Sequence, residues 1–131
     1  MDKKTFASLP EPVALVVDDE PLILMDTSDI ISDEGYHVIE ARAADDALEF
    51  LKQHNSLKLL FTDVQMPGKM DGIELANYVA EHWPNIVVIV ASGAVNPQPG
   101  TLPPTARFMN KPLNQELVVE TIRELCGRSD S

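Results

Sequence analysis

Apolar residues along this chain come in two textures. Some form short unbroken runs, and others recur every three or four positions. The strand-like runs are VALVV at 13–17, which is apolar throughout, then HVIEA at 37–41, LKLLFT at 57–62, IVVIVA at 86–91 and ARFMN at 106–110. A run without alternation suits a central parallel strand covered on both faces. The spaced segments lie between them. Pro21 fits a first helical turn, and Ile23, Thr27, Ile30 and Ile31 then repeat at helical spacing up to Gly35, a C-terminal stop. Ala47, Leu48 and Leu51 mark a second helix over 44–53. DGIELANYVAEHWP reads as a third, closed by Pro84, with Asp71 as its N-cap. Leu113, Leu117, Val118, Thr121, Ile122 and Leu125 mark a last one. Strand and helix in steady alternation predict an α/β fold, a doubly wound parallel sheet with helices on both faces.

One interval breaks the rhythm. Alternation calls for a helix between the fourth and fifth strands, but the chain there reads GAVNPQPGTLPPTA, with Pro97, Pro99, Pro103 and Pro104. Prolines so spaced remove helical donors and clash with the preceding turn. An irregular loop or a stub is expected in place of the fourth helix.

Composition narrows the function classes. The chain has 131 residues, 44% of them apolar, which suits one domain with a real core. Its net charge is −11, so direct binding to nucleic acid or an anionic membrane is disfavoured, while a cation or a basic protein partner is suited. Cys126 is alone, so neither an internal disulfide nor a cysteine zinc site can form, and a reducing, cytoplasmic setting fits. Nothing resembles a signal peptide or a membrane span. His37, His54 and His82 lie in separate segments without ligand spacing and are read as structural or surface groups.

The chemistry gathers where the strands end. In an open parallel sheet, ligands bind at the carboxyl ends of the strands. Those ends carry Asp18 and Asp19 after the first strand, Asp63 after the third, Ser92 after the fourth and Lys111 after the fifth. Taken singly, a strand-end Asp or Ser caps a helix or turn more often than it reacts, and a Lys is usually solvated. Taken together, three acids, a hydroxyl and a lysine converge on one rim if the first, third, fourth and fifth strands are placed side by side. Two carboxylates about 4 Å apart repel by roughly 4 kcal/mol at an effective dielectric near 20, so positive charge is expected among them.

The motifs VVDDEP, FTDVQMPGKMDG, VIVASG and FMNKPL, in this order, resemble the receiver domain of two-component response regulators. The resemblance covers about residues 12–126, leaving tails at 1–11 and 127–131. It implies a (βα)5 fold with strand order 2-1-3-4-5. It also implies a phosphoryl group passed from a histidine kinase or histidine phosphotransfer protein to Asp63, the phosphoacceptor. By the same resemblance Asp19 and Asp63 hold Mg²⁺ directly, Asp18 acts largely through water, and the backbone carbonyl of Gln65 adds a ligand. Lys111 contacts a phosphoryl oxygen, and its bond to Pro112 is expected to be cis. Ser92 donates to the attached phosphoryl group. Phe108 is the switch aromatic that fills the space Ser92 vacates, or else a statically buried strand residue.

Two rivals stand against this signalling, non-enzymatic reading. A phosphohydrolase of the haloacid-dehalogenase type needs a second acid two residues beyond the nucleophile, where this chain has Gln65. A receiver fold kept as a phosphorylation-independent binding module remains the alternative. No output domain is visible, so control of a partner protein, or of a fused domain outside this sequence, is expected. The prolines suggest that the surface of the fourth helix, fifth strand and fifth helix is reshaped, with dimerisation there altered or absent and a dedicated partner reading the loop.

Overall fold

The computed structural model describes residues 12–53, 57–65, 70–93, 100–111 and 113–126. Five strands, β1 (Val13–Val17), β2 (His37–Ala41), β3 (Leu59–Asp63), β4 (Val87–Ser92) and β5 (Arg107–Asn110), form one parallel sheet in the order β2-β1-β3-β4-β5. Among the described residues four helices accompany them: α1 (Pro21–Asp33), α2 (Ala44–Gln53), α3 (Gly72–His82) and α4 (Gln115–Cys126). The expected doubly wound topology is observed.

Period-two side-chain alternation divides the core in two. Ala14, Val16, Leu59, Phe61, Ile89, Ala91 and Met109 face one way and pack with Leu24 and Ile31 of α1 and Val118 and Ile122 of α4. Val13, Leu15, Val17, Leu60, Val88 and Val90 face the other way and pack with Ala47 and Leu51 of α2 and Leu75 and Val79 of α3. β1 and β3 are buried along their whole length, as central strands covered on both faces are.

The punctuation follows its chemistry. Pro21 is the first residue of α1, and Gly35 takes φ 95° just past its end, its amide donating to Ser32 O at 3.0 Å. Asp71 caps α3 in a reciprocal capping box: its carboxylate accepts from Glu74 N at 2.9 Å while Asp71 N donates to Glu74 Oε1 at 3.0 Å.

Several boundaries and faces differ from the sequence expectation. β3 and β4 each run one residue further, through Asp63 and Ser92, because parallel pairing continues: Val64 N donates to Ala91 O and Lys111 N to Ser92 O, both at 3.0 Å. β3 also starts two residues later, at Leu59, and β4 and β5 one residue later. In α1 the deeply buried set is Leu24, Thr27, Ser28 and Ile31, so Ile23 and Ile30 sit at its margin rather than its centre. Leu117, expected among the apolar positions of α4, is 51% exposed, and the start of that helix is capped by Asn114, whose Oδ1 accepts from Leu117 N at 3.1 Å.

Between β4 and β5, residues 100–106 contain no helix. Residues 94–99, with Pro97 and Pro99, and Pro112, on which the cis expectation rests, lie outside the described residues. Leu102 and Ala106, with Phe108 of β5, pack against the core on the α2–α3 face, and Pro103 is buried. Irregular backbone thus covers that part of the sheet.

Candidate functional site

The strand order places β1, β3, β4 and β5 side by side, so their carboxyl ends share one rim. Asp18 follows β1 directly, and its amide continues the ladder to Ala41 O at 3.1 Å. One of its carboxylate oxygens, Oδ1, accepts from Glu20 N at 2.9 Å, which orients the group at the entry to α1. The other, Oδ2, meets Lys111 Nζ at 2.9 Å. The same ammonium lies 3.0 Å from Asp63 Oδ1. Residues distant in sequence are therefore joined by one half-buried cation bridging two carboxylates.

Asp18, Asp19 and Asp63 each present an oxygen within 4.8 Å of the others. Asp18 is 4% exposed and Asp63 8%, and Asp19 is half-buried. Three carboxylates against one ammonium leave the pocket with surplus negative charge. The donors are all oxygen, the set a hard divalent cation takes. The residues present thus fit a divalent metal ion.

Electrostatics set the two central groups apart. Burial pushes the Asp63 carboxyl above the ordinary aspartate value, with the Asp18 charge adding to the rise, although Lys111 pulls it back. Burial alone would lower Lys111, but its hydrogen bonds to Asp18 and Asp63 and their charges outweigh that, so the ammonium is held above its usual range. Lys111 is charged at neutral pH on this account.

The remaining expected residues take definite places. Ser92 ends β4, 2% exposed and paired in register with Asn110, so it lies one strand from Asp63, which pairs with Ala91. Gln65 is exposed two residues beyond Asp63. Phe108 is half-buried and pairs with Val90, on the face that irregular backbone covers. Arg107 pairs with Glu124 at 3.3 Å.

Sequence reasoning missed Gly72. Its amide donates to Val64 O at 2.8 Å, and a Cβ there would overlap the carbonyl oxygen of Asp63. The first residue of α3 therefore rests on the backbone of the site's central acid. The adjacent Asp-Gly pair was the available signal, but it reads equally well as an ordinary helix start.

Residues 14–123 match the family described as response regulator receiver domain. The chain belongs to that family. NtrX, a nitrogen assimilation regulatory protein of Azorhizobium caulinodans, is 35% identical over 116 residues, which are 85% of this chain and 25% of NtrX. The response regulator receiver protein CpdR of Brucella abortus is 35% identical over 95 residues, 70% of this chain and 77% of CpdR. A CheY-like receiver from Methanospirillum hungatei superposes with a TM-score of 0.78 at 27% identity, covering 90% of this chain and 96% of that one. The chain spans only about a quarter of NtrX, so the match concerns the receiver and not NtrX as a whole. As a receiver, the domain is a signalling module of two-component systems. Among the described residues no helix is long and apolar enough to cross a membrane.

Proposed function

We propose that this chain accepts a phosphoryl group on Asp63 from the phosphohistidine of a sensor kinase or phosphotransfer protein, in a Mg²⁺-dependent reaction, and that the modified form controls a protein partner. The observation that carries this reading is the single ammonium of Lys111 held 2.9 Å from Asp18 and 3.0 Å from Asp63 beside a three-carboxylate cluster. Asp18, Asp19, Asp63 and the backbone carbonyl of Gln65 would hold the metal. When bound, Mg²⁺ supplies charge that neutralises phosphoryl oxygens during transfer.

An Asp63 oxygen attacks phosphorus, and the new P–O bond forms as the P–N bond to the donor imidazole breaks, its electron pair leaving on nitrogen. Lys111 stays paired with Asp18 while its ammonium turns to a phosphoryl oxygen, a charge already in place before transfer. Ser92, one strand away, donates its hydroxyl to the product, and Phe108 follows the space it leaves. Water returns the acyl phosphate to aspartate and inorganic phosphate.

A donor has to reach the rim, and the neighbouring surface suits a protein. Leu22 and Met25 in the first turns of α1 and Leu117 in the first turn of α4 are 72%, 51% and 51% exposed. Between these helices lies a groove of about 490 Å³ lined by Ile23, Ile30, Leu113 and Lys111, with Asp26 and Asp29 beside them. Apolar anchors with an acidic rim match a helix carrying basic flanks.

Incubation with acetyl phosphate and Mg²⁺, read by intact mass, tests the reading. A gain of one phosphoryl group is expected, absent in Asp63→Asn and absent with EDTA. An unmodified wild-type protein under these conditions overturns it and leaves a phosphorylation-independent binding module.

A further inference from the structure

Residues 100–106 stand where the alternation calls for a helix, yet they cover core residues and lead straight into β5. A helix would hold itself together through its own backbone ladder. Within this segment Ala106 N donates to Pro103 O at 3.0 Å. Besides its packing on the core, it is joined to α3 by a side chain. Asn77 Nδ2 on α3 donates to Thr101 O at 2.7 Å and also to Ile73 O at 2.9 Å. Both partners are carbonyls, so the position needs a group with two donors. The amide satisfies both, and the bond to its own helix fixes the direction of the other.

The helix that carries Asn77 is itself seated on the site. Gly72 begins α3 with its amide on Val64 O at 2.8 Å and no room for a Cβ above the Asp63 carbonyl. Five residues on, a rise of roughly 7.5 Å, stands Asn77. At the far end of the connection, Lys111 N bonds Ser92 O at 3.0 Å and its ammonium returns to Asp63. The two ends of this path close on one carboxylate.

We propose that Asn77 is a positioning residue: it ties the β4–β5 connection to α3, so that the placement of β5, and of Lys111 at its end, follows the backbone of Asp63. This rests on the reading of Asp63 as phosphoacceptor. In a receiver with a full helix at this point the connection would carry its own rigidity. Here the Asn77 amide joins the segment to α3.

The test is hydrogen exchange on the whole chain, wild type against Asn77→Asp and Asn77→Ala, with and without Mg²⁺ and beryllofluoride as the phosphoryl mimic. Asn77→Asp keeps the shape but sets a carboxylate against two carbonyls. Asn77 is exposed, so both variants are expected to fold. In metal-free buffer, amides of 100–106 and β5 are expected to exchange about tenfold faster in Asn77→Asp, with β1 and β3 unchanged, and Asn77→Ala intermediate. Beryllofluoride is expected to alter exchange across 100–111 in the wild type, and by less than half as much in Asn77→Asp. Equal metal-free exchange in all three proteins overturns the tether. Faster exchange with an undiminished beryllofluoride response overturns the coupling. A wild type that shows no beryllofluoride response at all overturns the phosphoacceptor reading and the coupling with it, while the metal-free comparison still judges the tether.

Discussion

The two faces of the sheet are finished in different ways. On one, α1 and α4 lie over Val16, Phe61, Ile89 and Met109, and regular helices cover the strands. On the other, α2 and α3 cover β1 and β3, but Phe108 meets Leu102 and Ala106 of an irregular segment. A helix satisfies its own backbone and offers a continuous apolar stripe. A segment with Pro103 and Pro104 does neither and depends on a few contacts. The second face is therefore where a change at the rim can most cheaply become a change of surface. The first face supplies the fixed frame against which that change is measured.

Truncating the core on each side gives the largest test of this contrast. Leu75→Ala on α3 and Ile122→Ala on α4 remove side chains that are fully buried. Each is expected to cost about 2–5 kcal/mol in urea unfolding. Leu102→Ala, half-buried under irregular chain, is expected to cost about 1 kcal/mol or less, because the segment can settle into the space. A Leu102→Ala loss as large as the other two would mean that the second face is as rigidly packed as the first.

Gly72→Ala comes next. In an ordinary helix this change gains roughly 1 kcal/mol of propensity. Here the added methyl overlaps the backbone of Asp63, so the sign should reverse, with a loss of about 2 kcal/mol. Acetyl phosphate labelling should slow at the same time, since α3 can relieve the overlap only by shifting off the site. Unchanged or raised stability would show that α3 is not seated on Asp63.

Much of this was legible in the sequence, for identifiable reasons. The strand-like runs of β1 and β3 and the caps at Pro21, Gly35 and Asp71 have local causes, and the structure keeps each of them. The convergence of Asp18, Asp63 and Lys111 needed only the strand order. What escaped depends on the path of distant chain. Leu117 reads as core by periodicity but is 51% exposed in the first turn of α4. Gly72 looks like a helix start until β3 is placed under it. Asn77 looks like plain helix surface until Thr101 arrives from 24 residues away.

Asp63 separates the metal-free from the metal-bound frame. Its pKa is raised by burial, so the native state holds that proton more tightly than the unfolded chain. Stability from this group is therefore lost as pH rises from the ordinary aspartate value, near 3.9, through the raised one, and at neutral pH the ionised carboxylate is a standing cost. Lys111 runs the other way in effect: its raised pKa means a stabilisation complete below the unfolded lysine value, near 10.4, and lost as pH climbs through the folded one. Asp63→Asn should accordingly melt higher than wild type in EDTA at pH 7, with the gap closing toward pH 4. Adding Mg²⁺ at ten times its dissociation constant should stabilise the wild type by about 1.4 kcal/mol and narrow the gap. A variant no more stable than wild type in EDTA would contradict the electrostatic account. Removing the Asp71 cap is a smaller, local test: Asp71→Ala should cost about 1 kcal/mol, and Asp71→Asn much less.

The smallest expected effect concerns how β5 is held on the frame side. Arg107 reaches Glu124 of α4 at 3.3 Å, with the two side chains 42% and 64% exposed. Such a pair gains little in water, loses side-chain entropy and is screened by salt. Arg107→Ala should therefore shift stability by no more than about 0.5 kcal/mol, and 0.5 M NaCl should erase the difference. It should also leave hydrogen exchange in 100–106 untouched. If it instead loosened that segment as much as Asn77→Asp does, β5 would be anchored from α4, and the contrast between a fixed face and a tethered one would fail at the strand where the two meet.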